Sequence, residues 1–186
     1  MPYPTQIDRD QIIQQAADMI AADGVDNLSL HKLAAALGVK APSLYRYVNN
    51  KTELIQAVNL ATLARMFMVM DEAAADSSGL PDAKLLSIFS AYRAFAHANP
   101  RLYLLAYHEN DAYRSDEDVL VQMVLPLQAI MAEWVGEARS LTALRGALAL
   151  VHGFALLEIN NQLRRGGDLD AAFLAVVQAY LRGWLA

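Results

Sequence analysis

Between Asn27 and Thr52 the chain carries Lys32, Lys40, Arg46 and Lys51, with His31 beside them, and no acidic residue. Cations with no anion near them in sequence suit phosphate, because duplex DNA places one negative charge about every 1.7 Å along its axis. Through residue 52 five basic and five acidic side chains cancel, so the net charge of −5 resides in residues 53–186, where ten basic side chains meet fifteen acidic ones. The chain is acidic except where a polyanion would lie. A solvated charged face is the competing reading of those basic residues, and Lys32 and Lys40 in particular fit it.

The order of residues adds geometry to the charge. Ser29 can cap a short helix in which Leu30, Leu33, Ala34 and Leu37 recur at helical spacing, and Gly38 then supplies a tight turn. Val39 returns to the core. A second helix begins near Ala41 and Pro42, where a missing backbone N–H costs nothing, and it sends Leu44 inward and Ser43, Tyr45, Arg46 and Tyr47 outward or to the flanks. This is the layout of a helix-turn-helix, whose second helix enters the major groove.

The run LGVKAPSLYRYVNNKTELI, with the preceding helix Asp10 to Asp23 and its Gly24, resembles the N-terminal domain of TetR-family transcriptional regulators. The pattern joins an L-G-V turn, a Leu-Tyr pair, an aromatic two places on, and a Lys opening the next helix before an apolar stripe. It covers residues 8 to about 60. The resemblance implies that Ser29, Tyr45 and Lys51 hold phosphates, Lys51 at a helix N-terminus where the dipole adds attraction. It implies that Ala41, Pro42, Ser43, Arg46 and Tyr47 lie nearest the bases, with Arg46 able to donate two hydrogen bonds to a guanine. Packing of Tyr45 against the first helix is the alternative. Val48 departs from the family, which more often carries Phe, and Lys40 stands where a capping Ser is frequent. Leu150 to Glu158, LVHGFALLE, is similar to a family subgroup named for a Trp-His-Gly signature, of which His152 and Gly153 remain.

At 186 residues with 55% apolar content the chain has ample material for a core. The absence of Cys removes disulfides and thiolate zinc sites, which fits a reducing cytoplasm. The opening MPYPTQIDRD is not a signal peptide. The longest apolar run, Gly146 to Leu157, contains His152 and falls short of the about 20 residues that span a bilayer, so a buried helix is expected and no membrane partner. No enzyme is indicated: His108-Glu109 lacks the second His of a metalloprotease helix, and no P-loop or dinucleotide glycine pattern occurs. No metal or cofactor is called for.

Helical periodicity dominates, which predicts an all-α fold of about nine helices. A three-helix DNA-binding domain over residues 1–52 is joined by a long helix to a ligand-binding and dimerisation domain over 53–186. Asp8 or Asp10 caps the first helix and Asn50 or Thr52 the long fourth, which runs to about Ala75 and carries any signal between the two parts. Loops are expected at 76–81 and 111–116, a short helix from Arg101 to about Asn110, and a helix through Met123 to Trp134 kinked at Pro126. The last two helices, about Leu141 to Arg165 and Asp168 to Leu185, form a hairpin parted by Gly166-Gly167.

That hairpin is apolar on more than one face, so it needs a cover on two sides. An isologous four-helix dimer interface built from Leu148, Val151, Phe154, Phe173, Val177, Tyr180, Leu181 and Trp184 supplies one, while burial of both helices in a monomeric core is the alternative. A dimer also suits a palindromic operator. The resemblance implies a ligand cavity among the middle helices, where Phe67, Tyr92, Phe95, Tyr107, Met123, Leu127 and Met131 would receive an apolar or aromatic effector. His152 and Glu158, polar groups in an apolar helix, are either its anchors or structural groups with partners. The function expected is a ligand-responsive repressor of a palindromic operator; a DNA-binding regulator without a small ligand and a helical enzyme are the other classes.

Overall fold

The computed structural model describes residues 7–77, 79–108, 111–113 and 116–185, apart from the Asp111 side chain. The stretch 1–6, on which the signal-peptide expectation rests, lies outside the described residues. So do residue 78 of the expected 76–81 loop, 109–110 at the expected end of the short helix, 114–115 of the next loop, and 186. Among the described residues the fold is all-α, with nine α-helices and no strand. They form two compact units, Met1–Leu63 with Asn99–Asp116, and Ala64–Ala98 with Glu117–Ala186.

The first unit contains α1 (Arg9–Asp23), α2 (Leu30–Ala36), α3 (Ala41–Leu44), the opening half of α4 (Lys51–Asp76), and α6 (Pro100–Ala106). Asp8 begins α1 with a reciprocal capping box: Gln11 N donates to Asp8 Oδ1 at 2.8 Å, and Asp8 N donates to Gln11 Oε1 at 3.2 Å. Gly24 at φ +84° ends it, and Ser29 Oγ caps α2 by accepting from Lys32 N at 3.2 Å. Asn50 caps α4, accepting from Glu53 N at 2.9 Å. Ile12, Ala16, Ile20, Leu33, Leu44, Leu54, Ile55 and Val58 make one core.

Leu102 and Leu105 of α6 complete that core, so this helix, assigned by the sequence to the part beyond residue 52, packs within the first unit. Polar bonds fasten it as well. Arg101 Nη1 donates to the Ala21 and Ala22 carbonyls at the C-terminal end of α1, where orphan carbonyls favour a cation. From α4, Asn59 Nδ2 donates to the carbonyls of Leu105 and Tyr113 at 3.5 and 2.8 Å, and Gln56 Nε2 to that of Ala112 at 2.9 Å. Two amide side chains thus grip the main chain in the last turn of α6 and after it. The helix itself is shorter than expected, ending at Ala106.

The second unit holds the rest of α4 with α5 (Pro81–Ala98), α7 (Glu117–Val135), α8 (Glu137–Ile159) and α9 (Leu169–Gly183). Helix α5 packs against α7, α8 and α9, and α7 against α8. Pro126 lies inside α7, where it withholds one backbone donor. Helix α8 starts earlier than its apolar pattern predicts, after Gly136 at φ +83°, and stops at Ile159, before the glycine pair expected to end it. Asn161 stops it by taking the left-handed conformation, φ 52°, with Asn161 N donating to Glu158 O and Gln162 N to Leu157 O. Asp168 caps α9 through Asp170 N and Ala171 N.

By length and mean hydropathy α4, α7 and α8 could each cross a bilayer, which the longest uninterrupted apolar run does not suggest, because averaging tolerates isolated polar residues. Their buried positions lie on helical faces used for packing, such as Leu144, Ala147, Val151 and Ala155 of α8.

Helices α8 and α9 meet closely at Gly146, where a Cβ would fall well inside contact distance of Tyr180 Oη and 3.1 Å from its Cζ. Tyr180 Oη donates to Ala143 O at 2.7 Å. Gly146→Ala is therefore expected to cost about 1–3 kcal/mol by displacing the ring and its hydrogen bond, despite the higher helix propensity of Ala. Urea unfolding checks this, and a gain in stability would refute it.

Candidate nucleic-acid interface

Local sequence sets the reading head. In α2 Leu33 and Ala34 are buried while His31 and Lys32 are exposed, and Lys32 Nζ donates to Asn27 O at 3.3 Å. Gly38 makes the turn at φ +68°. Lys40, at the N-cap of α3, is exposed and provides no side-chain cap, as the departure from Ser implied. Helix α3 is only Ala41–Leu44, with turn residues following, and Leu44 is its buried residue. Pro42, Tyr45 and Arg46 are exposed, Tyr45 by 55%, which sets it outward instead of packed on α1. Ala41, Ser43 and Lys51 are half-buried, Lys51 as the first residue of α4.

Tyr47 has a different place from its neighbours. Its hydroxyl donates to Ile7 O at 2.7 Å, so the ring ties α3 to the segment before α1. Ser29 Oγ accepts at the α2 cap, which leaves its O–H able to donate to a phosphate. The exposed groups gathered here are Lys40, Pro42, Tyr45 and Arg46, with Lys51 beginning the next helix. Residues 27–52, which carry these groups, include no carboxylate, and the next in sequence, Glu53 on the first turn of α4, accepts from Asn49 N and Nδ2.

In the second unit Tyr92, Phe95, Leu127 and Met131 are buried, and Phe67 and Met123 are half-buried. Tyr107 belongs to the first unit and is 44% exposed. His152 Nδ1 lies 3.3 Å from Tyr92 Oη, and burial pushes its pKa below the ordinary value. The fold thus favours neutral His152. Its contribution to stability is complete above about pH 6.5 and is lost as pH falls through the lowered folded value, with a slope below about 1.4 kcal/mol per pH unit. Urea unfolding near neutral and near pH 5 should show that loss in wild type and a smaller one in His152→Gln; equal losses would disprove it.

Glu158 has partners that sequence reasoning did not name. Its carboxylate, 4% exposed, accepts from Arg93 Nε at 2.7 Å and Nη2 at 2.5 Å and lies 3.0 Å from His97 Nε2. Burial raises its pKa, but the hydrogen bonds and charges of Arg93 and His97 outweigh burial and leave it lowered. Arg93 also reaches Asp170 at 2.7 Å and stands over the rings of Phe173 and Phe154, 4.9 and 5.7 Å from their centroids. Glu158 thus has the partner that a buried polar group in an apolar helix requires, and both its oxygens already accept from the protein. The signal in the sequence was Arg93 and His97, one helical turn apart on apolar α5.

Clefts open on the described residues of this unit. One of about 510 Å³ is lined by Ser90, Arg93, Ala94, His97, Asp170, Phe173 and Leu174. Another, about 380 Å³, is lined by residues of α5, α7 and α9 and by Leu185 after α9.

The proposed dimer residues divide. Val151, Phe173, Val177 and Leu181 are buried within their own unit, and Leu148, Phe154, Tyr180 and Trp184 are half-buried. The first four, each 3% exposed or less, offer almost no surface to a second copy. The exposed apolar residues of α8 and α9 are instead Leu141, Leu157, Leu174 and Val176, with Leu185 after α9.

Residues 85–180 match the family model described as tetracyclin repressor-like, C-terminal domain, and residues 12–58 that of bacterial regulatory proteins, tetR family. The chain belongs to the TetR family. Its helix-turn-helix is the DNA-binding domain of a TetR-family transcriptional regulator. An uncharacterized HTH-type transcriptional regulator, YobS of Bacillus subtilis (strain 168), is 28% identical over 94% of this chain and 91% of its own. Tetracycline repressor protein class D of Escherichia coli is 37% identical over 32% of this chain and 28% of its own. Among solved structures, a protein of unknown function from Rhodococcus sp. RHA1 superposes with a TM-score of 0.81 at 25% identity, covering 98% and 97% of the two chains. A TetR variant from Acinetobacter baumannii AYE in complex with minocycline gives 0.70 at 22% identity over 96% and 97%. That last likeness concerns the fold.

Proposed function

We propose that this TetR-family regulator is a cytoplasmic, non-enzymatic repressor that binds a palindromic DNA operator as a homodimer and is released by a small apolar or aromatic effector. The helix-turn-helix whose carboxylate-free run, residues 27–52, presents Arg46, Tyr45 and Lys51 carries the reading. Tyr45, Lys51 and Lys40 hold phosphates there, with Ser29 acting through its cap, while Ala41, Pro42, Ser43 and Arg46 face the bases and Tyr47 steadies them. Residues 1–52 read DNA and residues 53–186 regulate, with α6 folded back onto the reader.

A second copy would seat on the outer face of α8 and α9 through Leu141, Leu157, Leu174 and Val176. The effector would enter among Phe67, Tyr92, Phe95, Met123, Leu127 and Met131, with His152 as its polar anchor. The minocycline bound to a protein of the same fold supports such a role. By linkage, an effector that weakens DNA binding must bind the DNA-bound form less well, with a coupling of about 1–3 kcal/mol.

Genomic site selection followed by fluorescence anisotropy on the selected operator tests the reading. Lys51→Ala is expected to weaken binding to every sequence and reduce the salt slope by about 1, whereas Arg46→Ala relaxes preference at particular base pairs by about 1–3 kcal/mol. Equal DNA affinity of wild type and Lys51→Ala would overturn the phosphate role.

A further inference from the structure

These clefts of the second unit differ in the donors they offer. In the larger one Arg93 is committed to Glu158 and Asp170. In the smaller one the walls are Ala83, Leu86, Leu181 and Leu185 with the Trp134 ring, and the polar groups are Asp82, Gln178 and Arg182. Arg182 uses Nε on Gln178 O at 3.3 Å and Nη2 on Gln178 Oε1 at 3.2 Å, and among the described residues Nη1 has no acceptor and the charge no carboxylate. The indole nitrogen of Trp134 is buried and has no acceptor among the described residues. A buried donor without a partner is costly, but an atom closed off from solvent does not open on the cleft, so the polar handle here is Arg182.

We propose that this cleft between α5, α7 and α9 binds a hydrophobic carboxylate, its head on Arg182 and its chain against Leu86, Leu181, Leu185 and Trp134. A guanidinium donates bidentately to a carboxylate, and the aliphatic walls exclude a strongly hydrated anion. Asp82 lines the same cleft at the first turn of α5, its Oδ1 accepting from Ala83 N at 2.9 Å. Its charge opposes a second carboxylate and directs the head to the Arg182 end. About 380 Å³ suits a chain of medium length. The site is separate from the effector cavity proposed above and stands whether or not DNA binding responds to it.

Trp184→Phe makes Trp134 the sole tryptophan, since the chain has two, and its emission reports the cleft directly. Octanoate titrated at constant ionic strength should change that emission saturably. Arg182→Gln, at an exposed position, should weaken the response at least tenfold with an unchanged melting temperature, and Asp82→Asn should tighten it several-fold. Octylamine should give no comparable binding. No saturable response to octanoate, equal affinity in Arg182→Gln, or equal binding of octylamine would overturn the proposal. So would emission that follows protein concentration and ignores octanoate, because a second copy would then cover the cleft.

Discussion

Leu44→Ala is expected to cost about 2–5 kcal/mol and to abolish sequence-specific DNA binding, although Leu44 is fully buried and cannot itself reach a base. Helix α3 has one turn of regular structure and Leu44 is its buried side chain. Removing that anchor leaves the turn held by Tyr47, through Ile7 O, and by Val48 at 1% exposure. A recognition element must keep its side chains within a fraction of an ångström of productive geometry, so the loss of positioning should exceed the loss of folded protein. Urea unfolding and anisotropy on the same sample separate the two. Wild-type operator affinity at full occupancy of the native state would refute the expectation.

Arg93→Ala should destabilise the second unit by about 3 kcal/mol, because it strips a carboxylate that is 4% exposed of its bidentate partner and leaves only His97 beside it. The charge is the cause, so Arg93→Met with Glu158→Leu should recover most of that loss, as apolar replacement of a buried pair often does. The pH dependence has a definite sign. The lowered pKa of Glu158 means its contribution is complete above about pH 4.3 and lost as pH falls through the folded value, so wild type and Arg93→Ala should converge in acid. Guanidinium screens such pairs, and urea is the denaturant to use. A double variant no more stable than Arg93→Ala would show that packing on Phe154 and Phe173 matters more than the charge.

What the sequence disclosed was local. Asp8, Ser29 and Asp168 cap through bonds two or three residues away, and Gly24 and Gly38 adopt positive φ next to the helices they end, so residue type and spacing were sufficient. The reading head is almost wholly of this kind. The bond of Tyr47 to Ile7 O was not legible, because its acceptor is 40 positions away. Glu158 announced a need for a partner without saying which, since Arg93 is 65 positions off on another helix. Phe173, Val177 and Leu181 show a further limit: a helix apolar on several faces reveals how much it must hide, not which face its own unit hides. The boundary drawn at residue 52 left out α6 because a seven-residue helix states its allegiance only through packing.

The grip of Gln56 and Asn59 on the carbonyls of Leu105, Ala112 and Tyr113 has an evolutionary consequence. Every amino acid presents a carbonyl, so the gripped residues can change identity while the grip persists. Selection that keeps this join should fall on two amide side chains in α4 and be nearly blind to Ala112. In a library of surviving variants, positions 56 and 59 should narrow to residues with an amide donor while position 112 drifts, and the segment after α6 can then explore new sequence without losing its seat on the DNA reader.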